Sequence, residues 1–159
     1  MAPIARDRGE SLIELIVAVT ILGVAVVAIV AGLGISVLLS DVHRKQATAG
    51  VAVRDYAEAV ENAVVAGGYV TCANADGHDY AAPTGFAVPA GYSRSVVAGP
   101  GGQPLAYWNG SGWQNTCPAT GDTGLQQLTV QVASDDGRAS ERLVLVLRKP
   151  CRQMDAPCA

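Results

Sequence analysis

RDRGESLIELIVAVTILGVAVVAIVAGLGISVLLS, residues 6–40, decides how the rest of the chain must be read. Residues 15–40 hold no charged side chain, and about 26 residues at about 1.5 Å each give about 39 Å of helix. That length exceeds a hydrocarbon core of about 30 Å, so the segment reads as a membrane span. Gly23, Gly32 and Gly34 would weaken a soluble helix by about 1 kcal/mol each, whereas membrane helices use small residues for close approach. Gly32-Leu33-Gly34 is where the helix is expected to loosen. A secretory signal is the competing reading, because Arg6 and Arg8 precede the apolar run. Against it stand the length of the run, the lack of a small-x-small cleavage site directly after it, and Glu14 inside its start.

The whole chain, 159 residues long, has 11 basic and 14 acidic residues and a net charge of −3, and outside this stretch it reads as an ordinary polar chain. No basic patch follows a phosphate backbone, and aromatics are only 5%, so composition speaks against a nucleic-acid partner. Basic residues flank both ends of the span, Arg6 and Arg8 before it and Arg44, Lys45 and Arg54 after it, and leave orientation open. All four cysteines, Cys72, Cys117, Cys151 and Cys158, follow the span. An even number in a small polar domain suits disulfides in an oxidising exterior, which places the C-terminal part outside the cell.

The junction Arg6-Asp7-Arg8-Gly9-Glu10-Ser11-Leu12-Ile13-Glu14 followed by an uncharged run resembles the processing signal of type IV pilins and of type II secretion pseudopilins. The resemblance implies a basic leader ending at Gly9, cleavage by a membrane prepilin peptidase between Gly9 and Glu10, and N-methylation at the new terminus, Glu10. It assigns Glu14 the part of the family glutamate, which meets the free amine of a neighbouring subunit and sets the axial step of a filament. The Gly-Glu-Ser form is similar to versions in high-GC Gram-positive bacteria; elsewhere the mature chain usually starts on an apolar residue. A carboxylate inside the apolar boundary costs several kcal/mol unless partnered, which is a physical reason for Glu14 to be functional rather than merely interfacial.

Beyond residue 40 the helical pattern becomes amphipathic. Val42, Gln46, Ala49, Val53, Tyr56, Val60 and Ala63 recur at spacings of four and three, with Asp55, Glu58 and Glu61 off the stripe. The pattern predicts one helix over about residues 11–66, close to 80 Å long, stopped by Gly67-Gly68. From residue 68 the pattern changes to short strands, expected at 69–72, 92–98, 105–108, 113–116, 125–134 and 140–148. Asp135-Asp136-Gly137 supplies the turn between the last two, and Asn109-Gly110-Ser111-Gly112 closes a hairpin between Trp108 and Trp113. A lone sheet must bury its inner face, and the stripe from Val42 to Ala63 is the surface available to it. The fold class is therefore α+β and pilin-like: a basic leader 1–9, a transmembrane helical half 10–40, an amphipathic half 41–67, and an extracellular β-sheet head 68–159.

Three disulfide connectivities are possible; the favoured one pairs Cys151 with Cys158 and Cys72 with Cys117. Zinc is disfavoured because no Cys-x-x-Cys pair exists and His43 and His78 are far apart. The loop Asn74-Ala75-Asp76-Gly77-His78-Asp79 is oxygen-rich but lacks calcium-loop spacing, and reads as a polar loop. His43 reads as a solvated residue at the membrane boundary. Tyr107, Trp108 and Trp113 read as cross-strand packing before an exposed aromatic surface. Gly99-Pro100-Gly101-Gly102 has no phosphate-loop ending. No catalytic residue, cofactor or metal is expected, and the chain reads as a non-enzyme.

The resemblance implies a prepilin-like subunit of a type IV pilus or pseudopilus, taken as a minor one of secretion type. Its implied partners are prepilin peptidase, other pilin or pseudopilin subunits, and an assembly platform protein with its ATPase. The alternative is an uncleaved single-pass anchor displaying an extracellular binding domain.

Overall fold

The computed structural model describes residues 12–151, which fall into two compact units divided between Asp41 and Val42. Helix α1, Leu12–Ala63, runs through both as one unbroken element. The helix does not loosen at Gly32-Leu33-Gly34: in an apolar setting its backbone groups have no better partner than their own helix. The Ser36 hydroxyl donates to the Gly32 carbonyl at 3.0 Å and the Thr20 hydroxyl to that of Val17 at 2.8 Å, so these polar groups are also satisfied internally.

α1 ends in a π-turn, Val64–Gly68, where Gly67 takes φ 107°. A side chain at Gly68 would place its Cβ 2.8 Å from the Ala63 carbonyl oxygen. The expected stop therefore holds for two reasons, a left-handed backbone at one glycine and a close approach at the other.

In the second unit five strands form an antiparallel sheet: β1 Tyr92–Val96, β2 Leu105–Trp108, β3 Trp113–Gln114, β4 Leu125–Ser134 and β5 Ser140–Arg148. β4 is the centre. It pairs with β5 along nearly its whole length, from Leu125 opposite Arg148 to Ala133 opposite Ser140. Its other edge is shared, with β1 covering Val130 to Ser134 and β2 covering Gln126 to Leu128. β1 and β2 thus form one strand line interrupted at Thr129, whose N–H donates to Pro104 and whose carbonyl accepts from Val97. Gly99 lies so close to Thr129 that any Cβ there would collide with its hydroxyl.

Alternation sends the even residues of β4 and the odd residues of β5 to one face. Leu128, Val130, Val132, Leu145 and Leu147 there form one core with Ala52, Val53, Tyr56 and Val60 of α1 and Val64 of the π-turn. This is the α+β arrangement of a pilin-like chain. The helical stripe departs from expectation at Gln46, which is exposed. Lys45 turns to the head instead, pairing with Asp136 at the β4–β5 turn, while its carbonyl accepts from the Tyr92 hydroxyl.

Three strand expectations need correction. Residues 69–72 form no strand, because side chains rather than a neighbouring strand satisfy their backbone and Cys72 takes φ 51°. β1 stops at Val96 where the chain leaves for the 97–104 excursion, and β3 stops at Gln114, whose amide donates to the Thr116 carbonyl.

Leu128 is fully buried at the centre of this core. Leu128→Ala should lower unfolding stability of the intact, detergent-held chain by about 2–5 kcal/mol. Ser93→Ala, at an exposed site of β1, should stay within about 0.5 kcal/mol. Tryptophan fluorescence during urea titration reads both.

Candidate functional site

The candidate site begins in the first turn of α1, where Glu14 is the acidic residue. A carboxylate there is favoured by the exposed backbone N–H groups of a helix start. Around it every residue from 12 to 40 is exposed, including Leu15 at 58%, Val24 at 72% and Val37 at 71%. So long a run of exposed aliphatic surface is untenable in water and demands lipid or other helices. An added Cβ at Gly23, Gly32 or Gly34 would touch nothing in the chain, so no contact among the described residues requires glycine there. By length and composition this helix is able to cross a membrane. Gly9 and Glu10, the expected cleavage and methylation positions, lie outside the described residues.

In the head the structure joins Cys72 to Cys117, with Cα atoms 5.5 Å apart and a sequence separation of 45. The expected Cys151–Cys158 pair falls outside the described residues, because Cys158 does. Beside the Cys72–Cys117 bridge, Asp122 collects donors from three parts of the chain. The Tyr69 hydroxyl lies 3.0 Å from both carboxylate oxygens, and the Cys72 N–H donates at 2.9 Å. The Gly124 N–H donates at 2.8 Å and the Gln126 amide at 2.7 Å. Burial alone would raise the Asp122 carboxyl, but these donors outweigh it and hold it below the usual carboxylate range.

Gln126, fully buried at an inward position of β4, also donates to the Val70 carbonyl and accepts from the Tyr80 hydroxyl. Burial pushes the Tyr80 phenol up to about 12, and burial together with Asp122 raises Tyr69 as well. All these groups are structural ties between the helix exit and the sheet. Sequence reasoning missed the cluster: Gly121-Asp122-Thr123-Gly124 reads only as a turn, and nothing local points Asp122 toward residue 69.

The other candidates are occupied in similar ways. In the 74–79 loop, Asp79 accepts from the Asn74 backbone and side chain, and Asp76 accepts from the His78 N–H. Gly77 there takes φ 70° and lies where a Cβ would meet Val96 at 2.6 Å. Among the described residues no group of three or more His, Cys, Asp or Glu side chains is placed to hold a metal. Asp136 accepts from Lys45, Ser134 and Arg138, whereas Asp135 uses its backbone N–H to bind Gly91. The two acids are turn residues with different partners rather than a facing pair. Trp108 and Trp113 sit opposite each other with ring centroids 5.4 Å apart, and the buried Tyr107 hydroxyl donates to the Ala73 carbonyl.

Residues 4–31 match the family model described as the prokaryotic N-terminal methylation motif. The chain carries the hallmark of prepilin-like proteins. The matched residues take in Gly9, Glu10, Glu14 and most of the exposed apolar helix, so the matched motif and the surface that needs covering overlap over residues 12–31. No curated protein and no solved structure matches the chain.

The depressed Asp122 carboxyl makes head stability pH-dependent in one direction. Its contribution is present above the ordinary carboxylate range and is lost as pH falls through the lower folded-state value. Melting of the intact chain should therefore weaken below about pH 4, where ordinary carboxylates begin to protonate. Asp122→Asn should remove part of that acid dependence and cost about 1–2 kcal/mol at neutral pH, allowing for partial exposure. Thermal melts from pH 2 to 7 decide it.

Proposed function

We propose that the chain is a prepilin-like structural subunit, cleaved between Gly9 and Glu10 and assembled through its N-terminal helix into a type IV pilus or a type II secretion-type pseudopilus, as a minor subunit. The observation that carries this reading is the coincidence of the methylation motif at residues 4–31 with an apolar helix whose every described residue up to Ser40 is exposed and whose first turn holds Glu14. In this reading 1–9 is the leader, 10–40 the membrane half of the helix, 41–67 the amphipathic half and 68–159 an extracellular head.

The work is assembly rather than catalysis. In the membrane the apolar helix faces lipid, and in a filament it faces the same helix of other subunits, so transfer exchanges one apolar surrounding for another at small cost. Glu14 supplies the directional element. Its carboxylate is expensive in an apolar interior until it meets a cation, and cleavage after Gly9 would create one at the amine of Glu10. Methylation of that amine would keep its positive charge. Prepilin peptidase, other pilin or pseudopilin subunits, a platform protein and its ATPase are the partners this route requires.

Glu14→Ala should leave processing at Gly9 and membrane insertion intact. The amount recovered in sheared filaments should fall roughly tenfold or more, as expected for loss of a contact worth a few kcal/mol. Unchanged incorporation would contradict the assigned role of Glu14. Immunoblots of membrane and sheared fractions, normalised to mature chain, give the answer.

A further inference from the structure

Two surfaces of the head stay exposed in the folded chain. The first is the outer face of β5. Leu145 and Leu147 point to the core, so Arg142, Val144, Val146 and Arg148 point away from it. Val144 is 42% and Val146 51% exposed, and β5 is hydrogen-bonded to β4 alone. Lys149 adds a further positive charge at the end of the strand. Neither Arg148 nor Lys149 makes an ion pair among the described residues, and Arg142 bonds only the neutral Gln131 amide, at 2.7 Å.

The second is the face of α1 turned away from the sheet. Val51, Asp55, Glu58, Asn62 and Val65 recur at four, three, four and three residues, and all are exposed. Arg54 and Glu61 flank the stripe, leaving it net negative. Among the described residues Asp55, Glu58 and Glu61 have no ion-pair partner.

We propose that the outer face of β5 docks on this stripe of α1 in a second copy of the chain. Charge is complementary, with Arg148 and Lys149 facing Asp55, Glu58 and Glu61. The spacing of charge and apolar surface also agrees. Along β5 the valines lie about 7–13 Å from Arg148 at about 3.3 Å per residue. Along α1 Val51 lies about 8 Å to one side of the midpoint of Asp55 and Glu58, at about 1.5 Å per residue. One placement therefore sets Arg148 on the acids with Val144 and Val146 toward Val51, while Arg142, about 20 Å along the strand from Arg148, lies beyond the acids. The two surfaces are unlike and lie on opposite sides of the head, the helix on one side of the sheet and the outer face of β5 on the other. A contact of this kind leaves one surface of each type free after every addition, so it propagates as an open array instead of closing as a pair. The proposal rests on the subunit reading above and names the head surfaces that would join.

A zero-length carbodiimide, which couples amines to carboxylates, tests it on the full chain in membranes containing prepilin peptidase, the platform protein and its ATPase, prepared as an equal mixture of unlabelled and 15N-labelled protein. The chain has only two lysines, Lys45 and Lys149, and Lys45 is engaged by Asp136. The intrachain Lys45–Asp136 link therefore reports that the head is folded. The expected result is a mixed-isotope product joining Lys149 to the α1 peptide that holds Asp55 and Glu58. Its yield should drop roughly fivefold in R148E and at about 0.5 M salt, as for a charge-steered contact. Mixed-isotope links from the N-terminal amine to Glu14 without the Lys149 product would overturn this contact while leaving the subunit reading in place. Mixed-isotope links from Lys149 only to other carboxylates would also overturn it. Absence of every mixed-isotope product, with Lys45–Asp136 coupled, would contradict both.

Discussion

A helix half left exposed along its whole described length governs the rest of this protein. From Leu12 to Ser40 all described side chains are exposed, and nearly all are aliphatic or small. At about 25 cal/mol per Å² of apolar surface, water is not a tolerable surrounding for such a segment. Lipid and other apolar helices are, and they differ little from each other as solvents for leucine and valine. A helix of this composition can therefore move between membrane and filament without a large change in free energy. Under the proposed reading a charge at one fixed depth would give the exchange its register, and Glu14 lies in the first turn.

The second unit solves a different problem, which is to make a small sheet stable and attach it to the same helix. Its core is formed by one face of α1 and the π-turn, from Ala49 to Val64, against the inner faces of β4 and β5. Around that core the chain uses polar ties where backbone pairing runs out. Asp122, Gln126 and Tyr80 satisfy the segment between helix and sheet, and the Cys72–Cys117 bridge fixes the same segment covalently. Lys45 and Asp136 hold the near end of the helix to the β4–β5 turn. The head is thus fastened to α1 at both ends of their shared surface.

Much of this was legible in the sequence because it is local. Alternation in Leu128, Val130 and Val132, the Asp135-Asp136-Gly137 turn and the return through Leu143, Leu145 and Leu147 defined β4 and β5 to the residue. Trp108 and Trp113 around an Asn-Gly turn likewise gave a hairpin. What stayed hidden depends on pairing across distance. That β1 and β2 are one line broken by residues 97–104 is visible only once both lie against β4. Residues 69–72 looked like a strand from composition, but side chains from residues 80, 122 and 126 took their backbone bonds. Lys45 looked like a boundary charge, and only its position on the helix relative to the turn at 136 gives it a partner. At the candidate site, the order Gly9, Glu10, Glu14 and apolar run is a linear motif and could be read directly, whereas the head surfaces that would join subunits exist only after folding.

The central claim is that this chain becomes a subunit by losing its leader. The most direct test is the N-terminal sequence and intact mass of the protein recovered from membranes, with and without prepilin peptidase. The account predicts a chain starting at Glu10 only when the peptidase is present, about 14 Da heavier if the new amine is methylated. A chain that keeps residues 1–9 under both conditions would contradict it and favour an uncleaved anchor, and a start near Ser40 would mean the apolar run is a signal peptide.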